Sequence, residues 1–249
     1  MKVIKKDEIK QTGRAVIVYS EPGEGKTTSI LQSAPDPIFY IQAEPRNIKP
    51  ALDAADRPDL DIEVGVAENF EELKKFLSNQ ENFERFNTIV VDSFSHLMNI
   101  SLSKEIEDQA FEARSKEEQK KKPLVSQAKL SMEGYGGLAS QMFRVTELIC
   151  KLAAAGKYII VTARLIENPK WDRALQAAPA LKGREFSANM AGFFDLIGLV
   201  TKRVNKEGSV VYPPYVRFES PDDTFMAKFT GIGPKEGPLL FDKIFKVGS

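Results

Sequence analysis

The amino-acid sequence predicts an α/β fold in which helices cover both faces of a mostly parallel central sheet, with a late antiparallel extension. Two observations carry this prediction. Short apolar, β-branched runs alternate along the chain with segments of helical character, as in βα units. In addition, the first of these runs ends in a glycine-rich turn directly before a predicted helix, which is where a parallel α/β sheet places a binding loop.

Each element has its own signal. The apolar runs that predict strands lie at 14–19, 37–41, 62–66, 88–92, 158–162, 194–200 and 209–218. Helices are predicted from Lys26 onward, over 69–79, near 136–155 and, as a polar helix of balanced charge, over 101–122. The helix at 69–79 is assigned because Phe70, Leu73 and Leu77 recur at helical spacing. Gly208 is the predicted turn between the last two strands.

Composition excludes several classes of protein. The 249 residues contain no run of about 18 apolar residues, which argues against a membrane-spanning helix, and the charged N-terminus argues against a secretory signal. A single cysteine and a single histidine argue against a zinc site and fit a reducing, cytoplasmic compartment. The 35 basic and 35 acidic residues cancel, so any binding of nucleic acid must depend on a local basic patch.

The most specific motif follows the first strand. It has the pattern G-x-x-x-x-G-K-[ST] with a serine in place of the first glycine, and it lies between a strand and a helix as a phosphate loop does. Glycines allow its backbone N–H groups to converge on a phosphate, and the helix N-terminus favours the anion. The predicted contacts to a nucleotide are Ser20, Glu21, Pro22, Gly23, Glu24, Gly25, Lys26, Thr27 and Thr28.

Two carboxylates complete the predicted site. Asp92 ends the apolar strand 88–91, the position of a Walker B carboxylate, and with Thr27 it is predicted to hold Mg²⁺; the alternative is a helix cap. Ser93 follows and is a further candidate for positioning the metal or water. Glu44 follows the second strand and is predicted to orient the attacking water, unless it is an exposed loop residue.

The order of these motifs resembles the RecA-type ATPase core, and in particular the short phage and prophage ATPases, some of which are single-strand annealing proteins. The resemblance covers residues 11–232 of one predicted domain, 1–249, with a C-terminal tail at 233–249. Beyond the phosphate loop it depends on the segments 41–45, 136–152, 158–164, 178–184 and 194–197. It implies ATP and Mg²⁺ as cofactors, ATP placed between the subunits of a homo-oligomer, single-stranded DNA as a partner and a single-strand-binding protein as a further candidate partner.

The same resemblance implies sensor and finger residues, with two departures. Thr162 ends the sensor strand, but Arg164 stands where many relatives have histidine. Lys228 is the one candidate finger, because the Lys-x-Arg of many relatives is Lys-Phe-Thr here.

A basic loop is the predicted DNA contact. The stretch 165–184 combines basic residues with the only tryptophan, and such a loop can hold a phosphate backbone and stack a base. Its candidate contacts are Lys170, Trp171, Arg173, Lys182 and Arg184. The alternative is a mobile surface loop whose tryptophan packs back on the domain. The glycine-rich stretch 132–137 is a weaker second candidate loop.

The phosphate loop and the two carboxylates predict an ATP-hydrolysing protein, and the resemblance implies a role in DNA recombination, annealing or repair and a phage or prophage origin. Three alternatives stay open at this point. The first is a nucleotide-gated binding protein with little turnover, the second a P-loop small-molecule kinase that uses 165–184 as a lid, and the third a packaging or helicase motor.

Overall fold

The computed structural model describes residues 13–66, 69–112, 116–117, 132–170, 172–231 and 233–246. Its strands are β1 (Ala15–Ser20), β2 (Ile38–Gln42), β3 (Ile62–Gly65), β4 (Thr88–Asp92), β5 (Tyr158–Glu167), β6 (Ala177–Pro179), β7 (Leu196–Val204), β8 (Val210–Arg217), β9 (Lys228–Phe229) and β10 (Glu236–Pro238). Its helices are α1 (Lys26–Ser33), α2 (Lys49–Ala55), α3 (Phe70–Ser78), α4 (Phe94–His96), α5 (Ser103–Glu112), α6 (Met132–Ala154), α7 (Arg184–Asn189) and α8 (Phe241–Phe245). A π-helical stretch, Leu97–Leu102, joins α4 to α5.

The strands form one sheet in the order β10-β8-β7-β1-β5-β4-β2-β3. From β7 to β3 every neighbouring pair is parallel, whereas β8 and β10 are antiparallel additions at one edge. The predicted fold class is therefore confirmed, including the late antiparallel extension. Because parallel strands point the same way, the carboxyl ends of β1, β2, β4 and β5 meet at one edge of the sheet.

The central strands β1, β2 and β4 are buried on both faces, which explains why they are continuous apolar runs in the sequence. In β1, Ile17 and Tyr19 belong to the core cluster that also contains residues of α3, α6 and α7, while Val16 and Val18 belong to the cluster that contains residues of α1, α2 and α8. All six residues of β1 are buried. Such a strand has no polar face to show, so period-two alternation is absent.

The C-terminal segment packs against the chain's own core. Phe241, Ile244 and Phe245 of α8 are buried, and the Phe245 ring stacks on Tyr158 with ring centroids 4.6 Å apart. The Phe241 backbone N–H donates to the Ser33 hydroxyl at 2.9 Å. The described part of the predicted C-terminal tail therefore packs on the core of the same chain.

Three predicted segments differ in detail. The prediction of a loop at 132–137 is wrong, because α6 begins at Met132. Leu138 and Met142 are buried and anchor the first turns of the helix, and this packing overrides the poor helix propensity of the glycines. The stretch 165–184 is less irregular than predicted, since the end of β5 pairs with β6 as an antiparallel hairpin. Of the predicted helix 101–122, α5 covers 103–112, and most of the remainder lies outside the described residues.

Within the described part of the chain, no helix combines the length and apolar character that crossing a membrane requires.

Candidate nucleotide-binding site

The phosphate loop connects β1 to α1 with the backbone that its glycines permit. Gly23 and Gly25 have φ values of 83° and 85°, in the left-handed region that favours glycine. Gly25 is the N-cap of α1 and has no side chain to cap it, so the first N–H groups of the helix are left for an anion. The loop therefore has the concave, N–H-rich form that binds phosphate.

Lys26 lies folded back on the loop. Its Nζ donates to the backbone carbonyls of Ser20 and Glu21, both at 3.2 Å, and also to the Ser20 hydroxyl. Ser20, the residue that replaces the first glycine of the motif, is fully buried, so its hydroxyl is a fixed acceptor for the lysine. Burial lowers the pKa of Lys26 to about 8, although the nearby Asp92 opposes this shift.

Asp92 is the centre of a buried hydrogen-bond network. Its Oδ2 accepts from the Thr27 hydroxyl at 2.8 Å and also from the Tyr40 hydroxyl, and its Oδ1 accepts from the Thr162 hydroxyl. Burial opposes its ionisation, but the Arg46 guanidinium and these hydroxyl donors outweigh burial and hold the pKa of Asp92 below its usual value. Asp92 is thus an ionised carboxylate facing Thr27, and its assignment as a metal ligand stays a prediction.

Arg46 contributes a cation to the same place. Its guanidinium donates to Thr27 Oγ1 at 2.7 Å and forms an ion pair with Asp92 Oδ2. It also lies 3.8 Å from Glu44 Oε2. No sequence motif assigned Arg46 a role. The only signal for it in the sequence is that it follows Glu44 by two residues, in the loop after β2.

Glu44 lies in the site and is not an exposed loop residue, since its side chain is only 14% exposed. Its Oε1 accepts from the Ser93 hydroxyl at 2.8 Å and lies 3.3 Å from the Arg164 guanidinium. The Ser93 hydroxyl also accepts from the His96 backbone N–H and so caps α4. Glu44 is therefore oriented by neighbours from β4 and β5.

The sensor candidates lie in the pocket of the site, whereas the finger candidate lies elsewhere. Thr162 is fully buried beside Asp92, and Arg164 reaches Glu44 from the same strand, so both belong to the site. Lys228 lies elsewhere: its Nζ donates to the Ala191 carbonyl at 2.8 Å within the same chain. To reach a neighbouring subunit, Lys228 would have to break this bond.

The DNA candidates are spread over the β5–β6 hairpin and the segment that follows it. Lys170 and Arg173 are exposed on the turn between β5 and β6, and Arg184 is exposed at the start of α7. Lys182 is half-buried and donates to the Ser103 hydroxyl at 3.1 Å. Trp171 lies outside the described residues.

The β7–β8 hairpin covers one side of the phosphate loop. The ring of Tyr212 lies so close to Gly25 that a β-carbon there would be 2.7 Å from its Cε1 atom. On the same side, the Lys202 amine lies 3.7 Å from a carboxylate oxygen of Glu24. Sequence reasoning did not anticipate either contact, because both join segments about 180 residues apart.

Together these elements enclose a pocket of about 240 Å³. Its lining comprises Pro22, Gly23, Glu24, Gly25, Lys26, Thr27, Thr28, Glu44, Arg46, Ala51, Asp92, Ser93, Thr162, Ala163, Arg164 and Tyr212. All predicted phosphate-loop residues from Pro22 onward therefore share one pocket with the two predicted carboxylates. Ser20 lies beneath the loop and bonds Lys26.

The donor set fits a hard divalent cation next to a phosphate chain. Thr27 Oγ1 and Asp92 Oδ2 are adjacent oxygens, which are the ligands that Mg²⁺ prefers when substrate phosphates supply others. The guanidinium on these same two oxygens is a second indication that they attract a cation.

Comparison with known proteins agrees with this geometry. The family model described as an AAA domain matches residues 12–228, which includes the phosphate loop, both carboxylates and the sensor strand. Among curated proteins no match is found. Proteins of this family are P-loop ATPases that generally bind ATP with Mg²⁺. Because the match spans most of the sequence, the chain belongs to the AAA domain family of P-loop ATPases.

Proposed function

We propose that this protein binds Mg²⁺·ATP and hydrolyses it while acting on single-stranded DNA in recombination, annealing or repair, as a phage- or prophage-encoded homo-oligomer. The observation that carries the proposal is the meeting of four functional groups in one pocket: the Lys26 amine, the Thr27 hydroxyl and the carboxylates of Asp92 and Glu44. In this assignment Lys26 contacts the phosphates, and Thr27 and Asp92 hold the metal.

Glu44 is the group assigned to the attacking water. Ser93 and Arg164 fix its carboxylate at the carboxyl edge of the sheet, in the same pocket as the phosphate loop. A carboxylate held there can accept a proton from water beside the terminal phosphate. Bound Mg²⁺ would supply charge neutralisation for the phosphates.

The DNA part of the proposal depends on the exposed basic residues of the β5–β6 turn and α7. Lys170, Arg173 and Arg184 are exposed. The turn is continuous with β5, whose residues Thr162 and Arg164 contact Asp92 and Glu44. A strand that joins a basic turn to the hydrolytic carboxylates offers a short route for DNA to influence turnover.

Phosphate release with and without single-stranded DNA, at low and at moderate salt, tests this proposal. We expect DNA to raise turnover and the stimulation to fade as salt rises, because phosphate contacts are salt-dependent. Lys26→Ala is the control for contaminating ATPases. The double variant Lys170→Ala/Arg173→Ala should lose the stimulation and keep the basal rate. Turnover that is indifferent to DNA at every salt concentration would refute the DNA role.

A nucleotide-gated binding protein with little turnover is the second candidate, and one observation favours it. The carboxylate of Glu44 accepts a hydrogen bond from Ser93, with Arg164 and Arg46 nearby, so an attacking water would have to compete with the chain's own groups for its oxygens. For such a protein, Glu44→Gln would leave the slow phosphate release unchanged. A clear fall in release in this variant would exclude it.

A further inference from the structure

Arg46 holds the two oxygens to which the metal was assigned. Its NH2 group donates to Thr27 Oγ1 at 2.7 Å and pairs with Asp92 Oδ2, and these two oxygens lie 2.8 Å from each other. The guanidinium and a divalent cation therefore cannot share these ligands. One positive group must leave when the other arrives.

The charges around this place explain why a cation is held there. Asp92 is buried and paired with the Arg46 guanidinium, and a buried carboxylate without a compensating charge is strongly unfavourable. Glu44 adds a second carboxylate oxygen 3.8 Å from the Arg46 Nε. The Arg46 guanidinium, a cation of the same chain, compensates the negative charge of these two carboxylates.

The way Arg46 is attached allows its side chain to leave without unfolding the loop. The backbone on either side is fixed, because the Gln42 side-chain amide donates to the carbonyls of Glu44 at 3.0 Å and Arg46 at 2.8 Å. The Arg46 side chain itself is 44% exposed, so one face already meets solvent. Rotation of this one side chain is enough to remove the guanidinium from Thr27 and Asp92.

We propose that Arg46 is an internal cation that occupies the metal position in the nucleotide-free protein and is displaced by Mg²⁺ when the nucleotide binds. The inference rests on the proposed binding of Mg²⁺·ATP and adds a regulatory residue to it. Before the metal binds, Arg46 compensates the charge of Asp92, and metal binding is therefore competitive. It is a positioning residue, since its partners are the metal ligands and not the reacting atoms.

The first test compares wild type with Arg46→Gln, which keeps polar atoms but removes the charge. The affinity for a fluorescent ADP derivative is measured in EDTA and in Mg²⁺, and the ratio of the two dissociation constants gives the gain that the metal provides. We expect this gain to be roughly tenfold larger in Arg46→Gln, because the metal no longer has to break charge-assisted hydrogen bonds.

The second test reads stability without nucleotide. Arg46→Gln should lower the melting temperature in EDTA, since Asp92 loses its counter-charge, and added Mn²⁺ or Mg²⁺ should restore part of the loss. Wild type should respond less to the same ions. The matched control is Arg85→Gln, because Arg85 also pairs with two carboxylates, Asp61 and Glu63, far from the site. Its metal response should equal that of wild type.

The outcomes separate this inference from the proposed function. If wild type binds the nucleotide but Arg46→Gln shows the same or a smaller gain from Mg²⁺, the competition is refuted while the proposed function stands. A stability loss that metal does not reverse would make Arg46 merely structural and would also refute it. If neither protein binds the nucleotide, both the proposed function and this inference fail.

Discussion

Replacing Thr162 by valine tests how strongly the chain depends on an ionised Asp92. Valine keeps the shape and β-branching of threonine, so β5 loses only the hydroxyl that donates to Asp92 Oδ1. Thr162 is fully buried, which makes replacement of this donor by water unfavourable. A hydrogen bond to a charged group contributes about 1.5–3 kcal/mol, so we expect Thr162→Val to lower the free energy of unfolding by about 2 kcal/mol.

Urea unfolding at neutral pH measures this loss, and the chain contains a matched control. Thr146 is equally buried, but its hydroxyl donates to the neutral carbonyl of Met142 at 2.7 Å within α6. Thr146→Val should therefore cost less, about 1 kcal/mol or below. Equal losses in the two variants, or a loss under about 0.5 kcal/mol for Thr162→Val, would refute the reasoning that Asp92 is charged and held by its donors.

Three further predictions concern the phosphate loop and its charges. In urea unfolding, Gly25→Ala should destabilise the protein by about 1–2 kcal/mol more than Gly23→Ala. Both residues have positive φ, but only at position 25 does the new β-carbon clash with Tyr212. Equal losses in the two variants would contradict this. The lowered pKa of Asp92 contributes stability that is present above about pH 4 and is lost as the pH falls through the folded pKa. The free energy of unfolding of Asp92→Asn should therefore fall less steeply with decreasing pH than that of wild type. The pKa of Lys26 is lowered to about 8, below its unfolded value near 10.4, so the free energy of unfolding of wild type should contain a component that rises between about pH 8 and 10. Lys26→Met should lack this rise. Unfolding curves of both proteins across that pH range test the difference.

Local patterns were enough to predict the parallel part of the sheet and the phosphate loop. Strands buried on both faces are apolar throughout, so β1, β2 and β4 were found within a residue or two of their observed bounds. The phosphate loop was found because its glycines and Lys26 have fixed spacing. The hairpin at β5–β6 was missed because three-residue strands such as β6 are defined by pairing and not by their own sequence.

The two carboxylates were predictable from position, whereas their partners were not. Asp92 and Glu44 follow strands whose carboxyl ends meet, so their proximity follows from topology. Arg46 and Tyr40 had no such signal, because a loop arginine is most often solvated and a strand tyrosine is most often part of the core. Only the packed structure shows that the Tyr40 hydroxyl and the Arg46 guanidinium both converge on Asp92.

The position of Tyr212 over the phosphate loop could not be predicted from the sequence either. It depends on the antiparallel pairing of β7 with β8, which carries the hairpin back toward Gly25. In the sequence Tyr212 is one of two tyrosines in β8, a pattern that is not specific for any role.

Lys26, Thr27, Asp92 and Glu44 are proposed to form one hydrolytic site. Phosphate release in a single turnover, measured in parallel with ATP affinity for wild type and Glu44→Gln, is the decisive test. We expect Glu44→Gln to bind Mg²⁺·ATP about as tightly as wild type and to release phosphate about a hundredfold more slowly, since a positioned base contributes at least that factor. Equal rates in the two proteins, or an ATP affinity that Lys26→Ala leaves unchanged, would contradict it.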